Sequence, residues 1–340
     1  VVADTDELFD VVDHSTSDHP SRSIKGDSVT AFHVDQIAER NPWTNLDIDD
    51  AKDRFSFVLL SDRTGGAQPG VFQRGLAVTD LLAPSFAIQV GDLIEGYLTD
   101  PTELNEQWTE IDSMLAQLHT PLFHVPGNHD VSNNLQREVW LARYGRLYYH
   151  FRYEDVLFVV IDTQDPPANF DTELTDQLDG YAQQMRLDPA AFRQTLEHAI
   201  DWNGRQSALV SAAQLSHIEQ VFADNTDVRW TFLCMHMPLW QGGHPAWERI
   251  SSALGNRHYT AFAGHVHNYR AEGDDHTQRV RLGSTGGMWV LSGPEGNFQH
   301  VTQVTMTARG PLIANIILEG VRDFEGKPVR ATATTYAGLM

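Results

Sequence analysis

Six short apolar runs constrain this chain more than any other feature. Phe55 to Leu60, Phe86 to Val90, Leu122 to Val125, Val156 to Ile161, Trp230 to Met235 and Tyr259 to Ala263 each have the length of a β-strand. Each leads into a polar residue or cluster: Ser61-Asp62-Arg63-Thr64, Gly91-Asp92, Gly127-Asn128-His129-Asp130, Asp162, His236 and Gly264-His265-Val266-His267. Helical stretches separate most of the runs, which is the alternation of an α/β fold. In open α/β sheets ligands gather beyond the carboxyl ends of strands, so these clusters are expected to converge in space.

The flanking regions read differently. Residues 1–53 are rich in Asp, Ser and His without sustained periodicity and are expected to form a partly irregular N-terminal extension, with Trp43 available as an anchor. Residues 54–320 form the expected domain, and 321–340 a C-terminal tail. Between about 165 and 225 the spacing of Leu174, Leu178, Tyr181 and Met185, then of Leu209, Leu215, Ile218 and Phe222, predicts a helical insertion. Strands return beyond Gly283, at Met288 to Leu291, His300 to Thr307 and Leu312 to Leu318.

Composition excludes several classes. Lys and Arg total 24 against 46 Asp and Glu, a formal net charge of -22, which disfavours nucleic acid or anionic lipid as a partner. The same acidity serves solubility in high salt. Cys234 is the sole cysteine, so neither an intrachain disulfide nor a CxxC ribbon can form, and its apolar strand setting makes it a buried, inert thiol. No apolar run is long enough to span a membrane. The chain begins at Val1 rather than Met, which leaves export after signal removal open; compartment and oligomeric state are unread. Neither a Gly-x-Ser-x-Gly elbow nor a His-Glu-x-x-His helix occurs, so covalent catalysis is not required.

His265 and His267 lie at i and i+2, on one side of an extended backbone if the chain is extended there. Imidazoles with an amide oxygen suit Zn, Mn or Fe. The ordered set Asp62, Gly91-Asp92, Gly127-Asn128-His129-Asp130, His236 and Gly264-His265-Val266-His267 resembles the calcineurin-like metallophosphoesterase superfamily over about Phe55 to Leu318. The resemblance implies a four-layer αββα sandwich of two mixed β-sheets flanked by helices, with two divalent metal ions (Mn, Zn, Fe or Mg) between the loops. It implies that Asp92 bridges the metals, that Asp62 and His267 hold the first, and that Asn128, His236 and His265 hold the second. A pair ~3.5–4 Å apart suits in-line displacement at phosphorus. By the same resemblance His129 assists departure of the leaving oxygen, with Glu95 as its orienting acid.

One element departs from the family pattern. Its first motif is Asp-x-His, whereas here Asp62-Arg63-Thr64 places a hydroxyl where an imidazole is expected. The first metal site is then weak or exchangeable, or Thr64 or water completes it, or another side chain such as His150 or His124 takes over. Strand alternation turns Arg63 away from the metals; an early turn would instead let it reach a substrate phosphate. His244, on a Gly-rich loop, is either a substrate contact or a plain loop residue. His300 reads as a hydrogen-bonded core residue, His119 and His217 as helix surface positions, and the Gly283 to Gly287 stretch as a turn.

The expected activity is that of a soluble hydrolase in which a metal-bound water or hydroxide attacks a small phosphate mono- or diester directly. Specificity is expected in the Asp62 to Gln73 loop, the insertion and the His236 to Trp247 loop, where Trp240 and Trp247 either stack on substrate or pack the loop. The alternative is a metal-stabilised binding protein with little or no turnover.

Overall fold

A computed structural model describes residues 32–48, 54–167, 208–288 and 296–320. The expected C-terminal tail, most of the helical insertion and the run predicted beyond Met288 lie outside the described residues. Two mixed sheets face each other. The first combines parallel strands β2 (Phe55–Leu60), β3 (Phe86–Val90) and β4 (Leu122–Val125) with antiparallel β11 (His300–Thr307) and β12 (Gly310–Ile317), in the order β12-β11-β2-β3-β4. The second has seven strands in the order β1-β5-β6-β7-β8-β10-β9. These are β1 (Phe32–Val34), β5 (Tyr149–Tyr153), β6 (Val156–Ile161), β7 (Trp230–Met235), β8 (Tyr259–Ala263), β9 (Arg270–Gly273) and β10 (Thr277–Arg281). All six predicted runs are strands with the predicted bounds.

Strand alternation divides each run between two cores. Phe55, Phe57 and Leu59 of β2 face the other sheet, whereas Val58 and Leu60 face the helices α1 (Val71–Leu82), α2 (Pro101–Leu115) and α4 (Asn134–Tyr144), the one-turn α3 (Asn128–Val131) following β4. On the seven-stranded side Val156, Phe158 and Val160 point between the sheets; Leu157, Val159 and Ile161 pack against α5 (Ala212–Asp224) and α6 (Pro245–Leu254). The result is an αββα sandwich. Its central layer is a phenylalanine stack in which Phe57 and Phe86 lie 5.5 Å apart and Phe151 and Phe158 4.6 Å apart, with Phe86 set edge-on to Phe158.

Part of the segment expected to be irregular is built into this sandwich. β1 pairs with β5, and Trp43 is buried against Phe123 and Tyr149. The amides of Thr44 and His124 donate to Leu122 and Pro42, so this segment covers the free edge of β4.

At the entry to β4, Asp80 near the end of α1 accepts hydrogen bonds from the amides of His119 and Thr120 and from the Thr120 hydroxyl, with the His119 ring 2.9 Å away. His119 is therefore an exposed loop residue rather than a helix position. Burial acts to raise the Asp80 pKa, and the donors on His119 and Thr120 outweigh it, leaving the pKa below the ordinary carboxylate value.

Phe86→Ala should lower unfolding free energy by ~3–5 kcal/mol in urea denaturation, because the ring is fully buried between the sheets. Asp80→Ala should cost ~1 kcal/mol at neutral pH, a modest value because solvent screens this partly exposed group. A depressed folded pKa gives stability that is present above the unfolded value and lost as pH falls through the folded one. The difference between wild type and Asp80→Ala should therefore close below about pH 4.

Candidate metal centre

Because β2, β3, β4, β7 and β8 run in parallel within their sheets, their carboxyl ends bring the polar clusters to one edge of the sandwich. Asp62 and Asp92 are both buried. Asp62 Oδ1 accepts the amide of His265 at 2.8 Å and lies 3.2 Å from His267 Nε2 and 3.8 Å from His236 Nε2. Asp92 Oδ2 lies 3.0 Å from His236 Nε2 and 3.9 Å from His129 Nε2, while its Oδ1 accepts the amide of His129. Two ligand-like clusters share a member: Asp92 with His236 and His265, and Asp62 with Asp92 and His267.

Three histidines are oriented by the same device. Nδ1 of His236 donates to the carbonyl of Val90 at 2.8 Å, Nδ1 of His267 to that of Met288, and Nδ1 of His129 to that of Glu95 at 2.6 Å. A carbonyl only accepts, so each Nδ1 carries a proton and each Nε2 is the nitrogen turned toward the carboxylates, where it can carry a second proton or give that place up to a cation. This corrects the role expected of Glu95. Its backbone carbonyl, not its carboxylate, meets His129; the carboxylate accepts the amides of Ala67 and Gly66. Burial acts to raise the Glu95 pKa, but the neighbouring His129 and these donors hold it below the ordinary range.

The backbone around these residues is strained and close-packed. Asp92, His265 and His267 have positive φ angles of 61°, 70° and 55°, so the His265 and His267 pair is not extended as expected; the turn sends the two rings into different clusters. Glycine is required beside each carboxylate: a β-carbon at Gly127 would lie 2.1 Å from Asp92 Oδ1, and one at Gly264 2.4 Å from Asp62 Oδ2. Asp130, which carried no expected role, accepts four amides, from Asp92, Leu93, Ile94 and Gly127, and thereby ties the β3 loop to the β4 loop. Burial and the charge of Asp92 push its pKa up to about 6.

The electrostatics and the unmet polar atoms fit a cation. Burial works against a charged imidazole at His236, but Asp92 and Asp62 outweigh it and raise its pKa to about 10. Burial and the charge of His236 push His265 down to about 3. Protons thus stand where positive charge is needed. Among the described residues Asn128 Oδ1 is buried without a hydrogen bond, and Asn128 presents that oxygen because its Nδ2 is taken by the Tyr97 hydroxyl, whereas the Thr64 hydroxyl is turned to the Glu95 carboxylate. His236 Nε2, close to Asp92 but with no hydrogen-bond geometry, is a second such atom. Buried orphans of this kind cost ~1–3 kcal/mol each unless something meets them.

Other candidate residues fall elsewhere. Arg63 turns outward, its guanidinium donating to the carbonyl of Leu93 and pairing with Glu110 at 2.6 Å, so it neither faces the carboxylates nor is free for a phosphate. His244 caps α6, with Nδ1 accepting the amide of Ala246 and Nε2 donating to the carbonyl of Ala208. His124 is buried beside Tyr144, and His150 lies near Asp35 and His217; neither joins the two clusters. Trp240 and Trp247 are buried edge-to-face in the helix-side core, which is a packing role. Tyr97, packed edge-on against His129 at 4.6 Å, went unnoticed in the sequence because nothing in its spacing marks it.

The family model for the calcineurin-like phosphoesterases matches residues 68–269. Among solved structures, a dimetal phosphatase from Danio rerio is similar at 14% identity with a TM-score of 0.52, covering 77% of this chain and 98% of that one. GAP50, the anchor in the inner membrane complex of Plasmodium, is similar at 13% identity and a TM-score of 0.48, covering 84% and 91%. At these identities the likeness is one of fold. No curated protein matches the sequence. With the family model spanning more than half of its length and two mixed sheets carrying a carboxylate and imidazole cluster at their strand ends, the chain belongs to the calcineurin-like phosphoesterases.

Proposed function

We propose that this protein hydrolyses small phosphate esters at a centre of two divalent cations, with Asp92 shared between them. The observation that carries this reading is the fixed orientation of His236 and His267, whose Nε2 atoms converge on two buried carboxylates while backbone carbonyls hold the opposite nitrogens. Asp62, Asp92 and His267 would hold one cation, and Asp92, Asn128, His236 and His265 the other. When bound, such a pair stabilises charge on phosphoryl oxygens and lowers the pKa of coordinated water. Imidazole and amide ligands at the second cluster favour Zn, Mn or Fe; the first, richer in carboxylate, also suits Mg. Thr64, where the family motif has histidine, offers only a neutral hydroxyl, so a first cation would be held by fewer strong donors and would exchange more readily.

The protein's own groups divide the remaining work. His129 is half-buried and its Nδ1 is committed to the Glu95 carbonyl, so Nε2 is the atom that can give a proton to a departing alkoxide. Tyr97 restricts the ring from one side and holds the Asn128 amide from the other. Asp130 fixes the backbone that presents both Asp92 and Asn128. Among the described residues no helix is long and apolar enough to cross a membrane, and the net charge of -22 disfavours polyanionic substrates.

p-Nitrophenyl phosphate and its bis ester, assayed with Mn, Zn, Ni, Mg and Ca, should reveal turnover that is lost on chelation and restored by metal; the preferred ester assigns mono- or diesterase action. Absence of turnover with every metal would instead identify a metal-stabilised binding protein. His129→Ala should lower kcat by ~100-fold or more with metal content unchanged, and a loss of only a few-fold would remove His129 from the reaction.

A further inference from the structure

A second group of metal-ligating side chains lies away from this centre and shares no residue with it. Asp35 follows β1, His150 lies in β5 and His217 in α5, and one ligand atom from each falls within 4.8 Å of the others. The register of the β1 and β5 pair places Val34 opposite Phe151, so Asp35 comes opposite His150, and the Asp35 amide donates to the His150 carbonyl. Phe151 points into the core between the sheets; its neighbour His150 therefore points to the outer face, where α5 brings His217 to a ring separation of 5.8 Å. His217, expected to be a plain surface position, is instead half-buried against this group.

The local chemistry matches an ion better than a hydrogen-bonded cluster. His150 Nδ1 and His217 Nε2 are both shielded from solvent and have no hydrogen-bond partner among the described residues. His150 Nδ1 lies 3.5 Å from Asp35 Oδ2, too far for a good hydrogen bond but close to the ~3.4 Å edge of a tetrahedral shell with ~2.0–2.1 Å bonds. Arg146 binds the other oxygen, Asp35 Oδ1, at 2.7 Å and so aims Oδ2 at the imidazoles.

We infer that Asp35, His150 and His217 form a separate site for a divalent transition-metal ion of zinc type, which clamps the edge strand β1 to β5 and α5. Two imidazoles and one carboxylate leave a coordination position for water, in keeping with the partly exposed setting. The ion meets both orphaned nitrogens and the carboxylate at once. Its role is structural: a strand of three residues at a sheet edge gains a tie to a helix in the next layer.

The test uses the full chain loaded with Zn(II) and, for spectroscopy, with Co(II). Asp92→Ala/His236→Ala, which disables the other centre, should retain one zinc equivalent after dialysis and gain thermal stability from added Zn(II). Adding His150→Ala and His217→Ala should abolish both. In the otherwise native chain, Asp35→Asn should weaken zinc binding at this site by about tenfold or more, leaving ester turnover within about twofold. His217→Cys should restore the equivalent and shift the Co(II) absorption toward that of thiolate ligation. Equal zinc content with and without His150 and His217, or no equivalent in folded Asp92→Ala/His236→Ala and no change with Asp35→Asn, would overturn the site.

Discussion

Two carboxylates, Asp62 and Asp92, are 0% and 1% exposed at the edge of a sandwich whose inter-sheet core is aromatic and aliphatic. An uncompensated charge in such a place costs several kcal/mol even after relaxation, so the surrounding structure is organised around compensation. Amides of His129 and His265 supply part of it, and the imidazoles of His236 and His267 supply more. The imidazoles meet the carboxylates by ion-pair proximity rather than by a full set of hydrogen bonds, and Asn128 Oδ1 beside them has no donor among the described residues. Carboxylates, imidazoles and an amide oxygen gathered with too few donors to meet them all make a set that suits cations.

The fold serves that arrangement. Parallel strands deliver β2, β3, β4, β7 and β8 to a common edge, and the phenylalanine layer holds the two sheets in register behind it. Left-handed backbone at Asp92, His265 and His267 re-aims side chains that ordinary extended geometry would scatter. Asp130 and the paired glycines Gly127 and Gly264 hold the loops at contact distance. Strain at the centre is supported by the rigid layer beneath it.

Much of this was legible in the sequence because it depends on period and residue type. The apolar runs end where side-chain chemistry changes, which marks all six strands and an α/β fold, while the αββα layering is implied by the resemblance to the calcineurin-like family. The same logic gathered Asp62, Asp92, Asn128, His129, His236, His265 and His267, and alternation correctly turned Arg63 outward as one of two readings. What escaped notice depends on the backbone. The carbonyls of Val90, Met288 and Glu95 that fix three tautomers have no side-chain signature, so the carboxylate of Glu95 was assigned what its carbonyl does. The positive φ angles of His265 and His267 contradict an extended pair, and the capping role of His244 depends on where α6 begins. His217 looked like surface because its partners, Asp35 and His150, are far away in sequence.

In the proposed centre one carboxylate, Asp92, would be shared by two cations. Electron paramagnetic resonance of the protein loaded with two equivalents of Mn(II) addresses it directly, since a bridging ligand couples the two spins. The expected result is a coupled dinuclear spectrum that Asp92→Asn converts to isolated Mn(II). An isolated six-line signal from the unmutated protein at full loading would contradict the claim.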